Sequence, residues 1–124
     1  MSMTDARVSY IMIGVTDMAR SRAFYEQTLG RKVMFAADGD AFVFIDGGPV
    51  MIGLNKGLSS RRPHIAGATE IVFAVDNVKQ TFRDLSSKGV AFVAEPRQAT
   101  DKDWVATFAD PDGHYLTLFG PPGE

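Results

Sequence analysis

The strongest constraint on this chain is that it carries one pattern twice. Ile71, Phe73, Val75, Asn77, Val78 and Thr81 repeat Ile11, Ile13, Val15, Asp17, Met18 and Ser21 in residue type at a constant offset of 60. In each copy an alternating apolar run, read as a strand, leads into an Asx residue and then apolar positions at helical spacing. Asp17 and Asn77 are the expected N-caps, because their side-chain oxygens can accept from the orphan N–H groups of a first turn. The first helix is read through Met18, Ser21, Phe24, Tyr25 and Leu29 to a stop at Gly30. The second runs from Val78 to Lys88, with Val78, Phe82 and Leu85 on one stripe, and stops at Gly89, one residue earlier relative to its cap.

Three strands are expected after each helix. Behind the opening strand Val8 to Val15 and its helix come Arg31 to Ala37, Ala41 to Asp46 and Val50 to Asn55. Asp38-Gly39-Asp40 and Gly47-Gly48-Pro49 supply the turns between them. In the second half the strands are Ala91 to Arg97, Trp104 to Ala109 and Tyr115 to Phe119. Asp110-Pro111-Asp112-Gly113 is read as a type I turn joining the last two. From Lys56 to Gly67 the chain turns to Gly, Ser, Arg and Pro without apolar periodicity, so it is read as a connection. The division is therefore module one over 8–55, connection over 56–67 and module two over 68–120. Two copies are too few for a solenoid. In an α+β plan of this kind, each helix covers one face of its sheet and leaves the other face to wrap around something.

Composition narrows the partners. A chain of 124 residues with 45% hydrophobic content can bury one substantial core. Its net charge of -2, with signs interspersed, gives no footprint for nucleic acid or an anionic membrane. The absence of cysteine removes disulfides, thiolate nucleophiles and Cys-based zinc sites. A polar start, Met1 to Arg7, reads as neither a signal peptide nor a membrane span, and a cytoplasmic location is expected.

Taken together, Val15-Thr16-Asp17, Ser21-Arg22-Ala23-Phe24-Tyr25-Glu26, Leu29-Gly30, Val75-Asp76-Asn77-Val78 and Phe108-Ala109-Asp110-Pro111-Asp112-Gly113 resemble the vicinal oxygen chelate superfamily. That superfamily includes glyoxalases, bleomycin-resistance proteins, fosfomycin-modifying enzymes and extradiol dioxygenases. The resemblance spans essentially the whole chain. It implies two βαβββ modules forming cupped mixed sheets with helices on the outer faces, commonly in a homodimer. It also implies a divalent metal on inward-facing strand residues. Carried onto this chain, the first-strand His or Gln corresponds to Tyr10, seven before Asp17. The ligand opening the second half corresponds to Glu70, seven before Asn77. The acidic ligand of the last strand corresponds to Thr117, and that of the fourth strand falls near Gly53.

Protein sites for zinc, iron, manganese or nickel use about three or four N, O or S ligands. Here only Glu70 is an ordinary one. Tyr10 would have to ionise from a pKa of about 10, a threonine hydroxyl is a weak ligand, and glycine offers none. The two histidines, His64 in the connection and His114 in the turn, lie off the strand positions. A site without metal or other cofactor is expected, with Zn, Ni, Fe or Mn as the alternative should the ligands lie elsewhere.

The candidate site residues follow from strand parity. Glu70 points opposite Ile71 and Phe73 and is read as a partly desolvated carboxylate, a base or an acceptor, with Tyr10 as its hydrogen-bonding partner. These two are the catalytic candidates. Tyr10, Met12, Glu70, Tyr115, Thr117 and the apolar Phe119 share inward parity and suit a flat or apolar ligand. Phe42 and Phe44 alternate with Val43 and Ile45, leaving open which pair faces the ligand. Trp104 shares parity with Ala106 and Phe108, leaving open whether that face meets helix or ligand. Arg61, Arg62 and His64 offer cations that could hold an anionic group, although a solvated linker explains them more simply. The leading reading is a metal-independent small-molecule binding protein of the antibiotic-resistance type. The competing one is a lyase, isomerase or dioxygenase, metal-dependent or using Glu70 as general base.

Overall fold

The structure, a computed structural model, describes residues 4, 9–61 and 70–123. It divides into two compact units, Met1–Pro63 and His64–Glu124. The first unit contains β1 (Tyr10–Gly14), α1 (Met18–Ala23), β2 (Val33–Ala36), β3 (Phe42–Ile45), β4 (Met51–Asn55) and α2 (Lys56–Arg61). The second contains β5 (Glu70–Ala74), α3 (Val78–Ser87), β6 (Arg97–Gln98), β7 (Trp104–Ala109) and β8 (Tyr115–Gly120). Each unit is a four-stranded mixed sheet of βαβββ plan, ordered β1-β4-β3-β2 and β5-β8-β7-β6. The pairs β1/β4 and β5/β8 are parallel and the rest antiparallel.

Both expected caps are present. Asp17 Oδ1 accepts from the Arg20 amide at 3.1 Å, and Asn77 Oδ1 from the Gln80 amide at 2.9 Å. The extra residue of the first helix has a physical home. After Ala23 the helix widens into a π-helical turn over Phe24–Thr28, in which the Leu29 amide reaches back to the Phe24 carbonyl at 2.9 Å. A π turn absorbs one inserted residue without ending a helix. Gly30 and Gly89 then take left-handed φ values of 71° and 85°, as helix stops do.

One face of each sheet is covered by its helix. In the first unit Ile13, Val43, Ile45, Ile52 and Leu54 are buried together with Met18, Ser21 and Tyr25. In the second, Val78 and Leu85 are buried, while Phe82 meets Phe92 edge-on at 4.6 Å and Phe92 lies tilted against Phe108 at 5.3 Å. The chain end closes over α3. Its first two amides, Val78 and Lys79, donate to the carbonyls of Pro121 and Pro122 at 2.9 and 3.0 Å. These donors have no partner within the helix, so the tail satisfies them. Gly120 makes that path possible. At φ 155° it passes so close to Val75 that a Cβ would collide with the Val75 carbonyl oxygen.

Two expected elements differ. The segment read as a connection over 56–67 begins with α2, where Asn55 Oδ1 accepts from the Gly57 amide at 2.9 Å and starts a turn without any apolar stripe. Arg62, His64 and the rest of 62–69 lie outside the described residues. The strand expected over Ala91 to Arg97 is regular only at Arg97–Gln98. Upstream, Phe92 makes a single bridge to Phe108 and the Val93 amide donates to the Thr107 carbonyl. Pro96 has no N–H to give a ladder and interrupts it.

Replacing Gly120 by Ala is expected to cost about 1–3 kcal/mol, since both backbone conformation and space forbid the new methyl group. Asn77→Ala is expected to cost about 1 kcal/mol for the lost cap. Urea unfolding of the two variants checks both, and a Gly120→Ala protein as stable as wild type would remove the close approach as a constraint.

Candidate functional site

In the second unit the site grows from a turn. Asp110 Oδ1 accepts from the amides of Asp112 at 3.0 Å and His114 at 2.8 Å, the Gly113 amide donates to the Asp110 carbonyl, and Gly113 takes φ 85°. This is a type I turn closed by a left-handed glycine, and it sets the register of the strands on either side. Ala109 therefore pairs with Tyr115 and Thr107 with Thr117. On the other side of β8, in the parallel register, Tyr115 pairs with Glu70 and Thr117 with Val72. Paired residues share a face, so Glu70, Val72, Val105, Thr107, Tyr115, Thr117 and Phe119 all stand on the face opposite α3.

Three of these form a connected polar chain. Thr117 Oγ1 donates to Glu70 Oε2 at 2.6 Å and lies 2.8 Å from Thr107 Oγ1. Thr117 is only 4% exposed, so its hydroxyl is satisfied within the sheet rather than by water. Glu70, the first residue of β5, is exposed and accepts the Thr117 hydroxyl from the neighbouring strand. Beside the chain lies a cavity of about 240 Å³ lined by Glu70, Val93, Glu95, Arg97, Thr107 and Tyr115, among others.

The first unit has a helix-free face of different character. Tyr10, Met12, Phe35, Phe42, Phe44 and Gly53 share it by register. Phe44 is the hub, with Tyr10 edge-on at 5.0 Å, Phe42 at 5.8 Å and Phe35 at 6.2 Å. The rim of this cluster is open: Tyr10 is 48%, Phe35 56% and Phe42 37% exposed. Register puts Phe42 and Phe44 on this face and Val43 and Ile45, fully buried, on the face toward α1.

Trp104 stands apart from the other candidates. It pairs with Gly120, shares its face with Ala106 and Phe108, and has Lys79 Nζ of α3 4.7 Å above its ring. That places it on the helix side, in a cation–π contact, and away from the Glu70 chain. Arg61 belongs to α2, and Arg62 and His64 are outside the described residues. Phe35 and Thr107 were missed by sequence reasoning. A bulge between Val33 and Phe35 breaks the alternation that would keep Phe35 on the helix side with Val33, and turns it onto the open face with Phe44. Thr107 was within reach, since a turn over 110–114 obliges it to oppose Thr117.

At the positions where the resemblance implies metal ligands, neighbouring side chains take up the surroundings. Gly53 has no donor, and its side-chain space is taken: a Cβ there would collide with Met12 Sδ and lie 3.0 Å from Phe44 Cε1. Thr117 has committed its hydroxyl proton to Glu70. The Tyr10 ring belongs to the aromatic cluster. Among the described residues no three His, Cys, Asp or Glu side chains converge. These residues do not fit a first-row divalent ion, whose sites draw on several imidazole, thiolate or carboxylate groups.

Similarity to known proteins agrees with this architecture. The chain is 26% identical over 115 residues to a metallothiol transferase FosB from Lysinibacillus sphaericus, covering 90% of this chain and 80% of that protein. Among solved structures, TnmS3, an antibiotic binding protein from Streptomyces sp. CB03234, superposes with a TM-score of 0.77 at 22% identity, covering 97% of this chain and 99% of that one. A lactoylglutathione lyase from Agrobacterium tumefaciens gives 0.75 at 14% identity, covering 94% and 95%. The model of one family matches residues 7–118, nearly the full length of the repeated plan. The chain belongs to the Glyoxalase/Bleomycin resistance protein/Dioxygenase superfamily.

Proposed function

We propose that this protein binds an aromatic or amphipathic small molecule without a transition metal and without transforming it. The observation that carries the reading is the helix-free face of the first unit, where three aromatic rings, all left open, gather around Phe44. Such a surface offers a large apolar area and ring edges to a flat partner, with few polar atoms to desolvate. Met12, folded over Gly53, adds a polarizable sulfur to the same face. The second unit contributes a different chemistry, hydrogen-bond acceptors on Glu70 and the threonines.

The metal positions support the same reading through their donor chemistry, since two of the four are filled or satisfied by neighbouring side chains. The antibiotic binding described for TnmS3 makes aromatic antibiotics the first ligands to try. A homodimer, the assembly implied by the resemblance, belongs to this proposal, and so does a cytoplasmic location.

Two measurements test the reading. Elemental analysis of protein purified without chelator is expected to find no stoichiometric zinc, nickel, iron or manganese; a full equivalent whose removal abolishes an activity would overturn it. For an aromatic antibiotic found by calorimetric screening, Phe44→Ala is expected to weaken binding about tenfold by taking the hub from the ring cluster. Mass spectrometry of the recovered ligand should show it unchanged, and a stoichiometric or catalytic product would convert the reading into an enzyme.

A further inference from the structure

We infer that the cavity of the second unit selects ligands bearing a hydrogen-bond-donating cation, such as a primary ammonium group, because the Thr107–Thr117–Glu70 chain presents only acceptors to it. This rests on the small-molecule reading above and names the chemical class of the ligand. Hydrogen-bond direction decides what the chain can offer. A hydroxyl has one proton to give, and a carboxylate accepts. Thr117 gives its proton to Glu70 Oε2 at 2.6 Å. It therefore has none for Thr107, and in the 2.8 Å contact between the two threonines Thr107 must be the donor. Both hydroxyl protons are consumed inside the sheet.

What this chain offers the cavity is then fixed. Thr107 retains an unused lone pair on Oγ1, and Glu70 retains Oε1, and both residues line the cavity of about 240 Å³. Glu95 and Arg97, on the same lining, are exposed and carry opposite charges that offset one another, so the Glu70 carboxylate sets the sign. Val93, Val105 and the Tyr115 ring supply apolar wall for the body that carries the cation. An ammonium group fits this arrangement, having only donors to offer and a charge opposite to that of Glu70. A carboxylate fits the Thr107–Thr117–Glu70 chain badly, since there its oxygens meet only acceptors and the Glu70 charge, and it would have to turn to the exposed Arg97 for a donor.

Thr117 is on this account a positioning residue. It is nearly inaccessible, and it acts by holding Glu70 and by turning Thr107 so that its proton points away from the cavity.

The experiment uses the full chain and three probes of one shape: naphthylmethylammonium, naphthylmethanol and naphthoate. Their affinities are measured at low salt by amide NMR titration, with shifts at Thr107 and Thr117 locating the site. The ammonium probe is expected to bind about tenfold more tightly than the alcohol, the ratio that one charge-assisted hydrogen bond supports, with naphthoate weakest. Thr117→Val and Glu70→Gln are expected to collapse that ratio toward one, and Thr117→Ser to restore it. A ratio is insensitive to the fraction of protein folded, so a purely structural role for Thr117 would leave it unmoved. Equal binding of the three probes, or preference for naphthoate, would overturn the ligand class while leaving a small-molecule binding protein. Failure of all three to bind would take down both readings.

Discussion

The hydrogen bonds of the Asp110 side chain to the amides of Asp112 and His114 govern what the second unit can do. They close a turn that leaves only one register for β7 against β8, and a slip of one residue would send each side chain of β7 to the opposite face. With the observed register, Thr107 meets Thr117 on the open face while Phe108 meets Leu116 against the helix. The polar chain and the packed core are thus two consequences of one turn. Asp110 itself is 5% exposed, which removes competing water from its acceptor oxygens.

Much of this was readable from the residues. The repeated strand, cap and helix positions are local signals, and Asp17, Asn77, Gly30 and Gly89 each do in the structure what their chemistry predicts. The limits of reading appear where geometry accumulates over distance. Trp104 could not be assigned a face, because parity along one strand says which residues go together and not which way they point. Only the register with β8, and Lys79 above the ring, put it on the helix side. Phe35 was hidden by a bulge, and the break at Pro96 shortened a strand that composition alone had extended. Glu70 shares a face with Tyr115 and Thr117, as strand parity implies, but its bond to Thr117 depends on the neighbouring strand and is not written in its own strand's pattern.

The two halves also show how one plan can carry two surfaces. In both, the helix side is an apolar layer of aliphatic and aromatic residues, and that layer is what the repeat preserves. The open faces are under no such restraint from the core. The first is aromatic, with Phe44 as its centre, and the second carries the Thr107–Thr117–Glu70 chain among apolar neighbours. The extra residue in the first helix shows the same freedom, since a π turn absorbs it without disturbing the burial of Tyr25.

Gly53 and Thr117 deserve comparison because they occupy equivalent places. Met12 pairs with Gly53 two residues after Tyr10, and Val72 pairs with Thr117 two residues after Glu70. Both are positions where the resemblance implies an acidic metal ligand, and both have been given to their neighbours by opposite means. At Gly53 the side chain is deleted, and Met12 Sδ and the Phe44 ring close over the backbone. At Thr117 the side chain is kept but shortened to a hydroxyl, and Thr107 and Glu70 complete its hydrogen bonds. A carboxylate put back at either place would meet sulfur and carbon in one case and the Glu70 carboxylate in the other, and neither surrounding would stabilise its charge. The misfit to an acidic metal ligand therefore lies in the neighbours of these positions as well as in the positions themselves, and relieving it would require more than one substitution in each half.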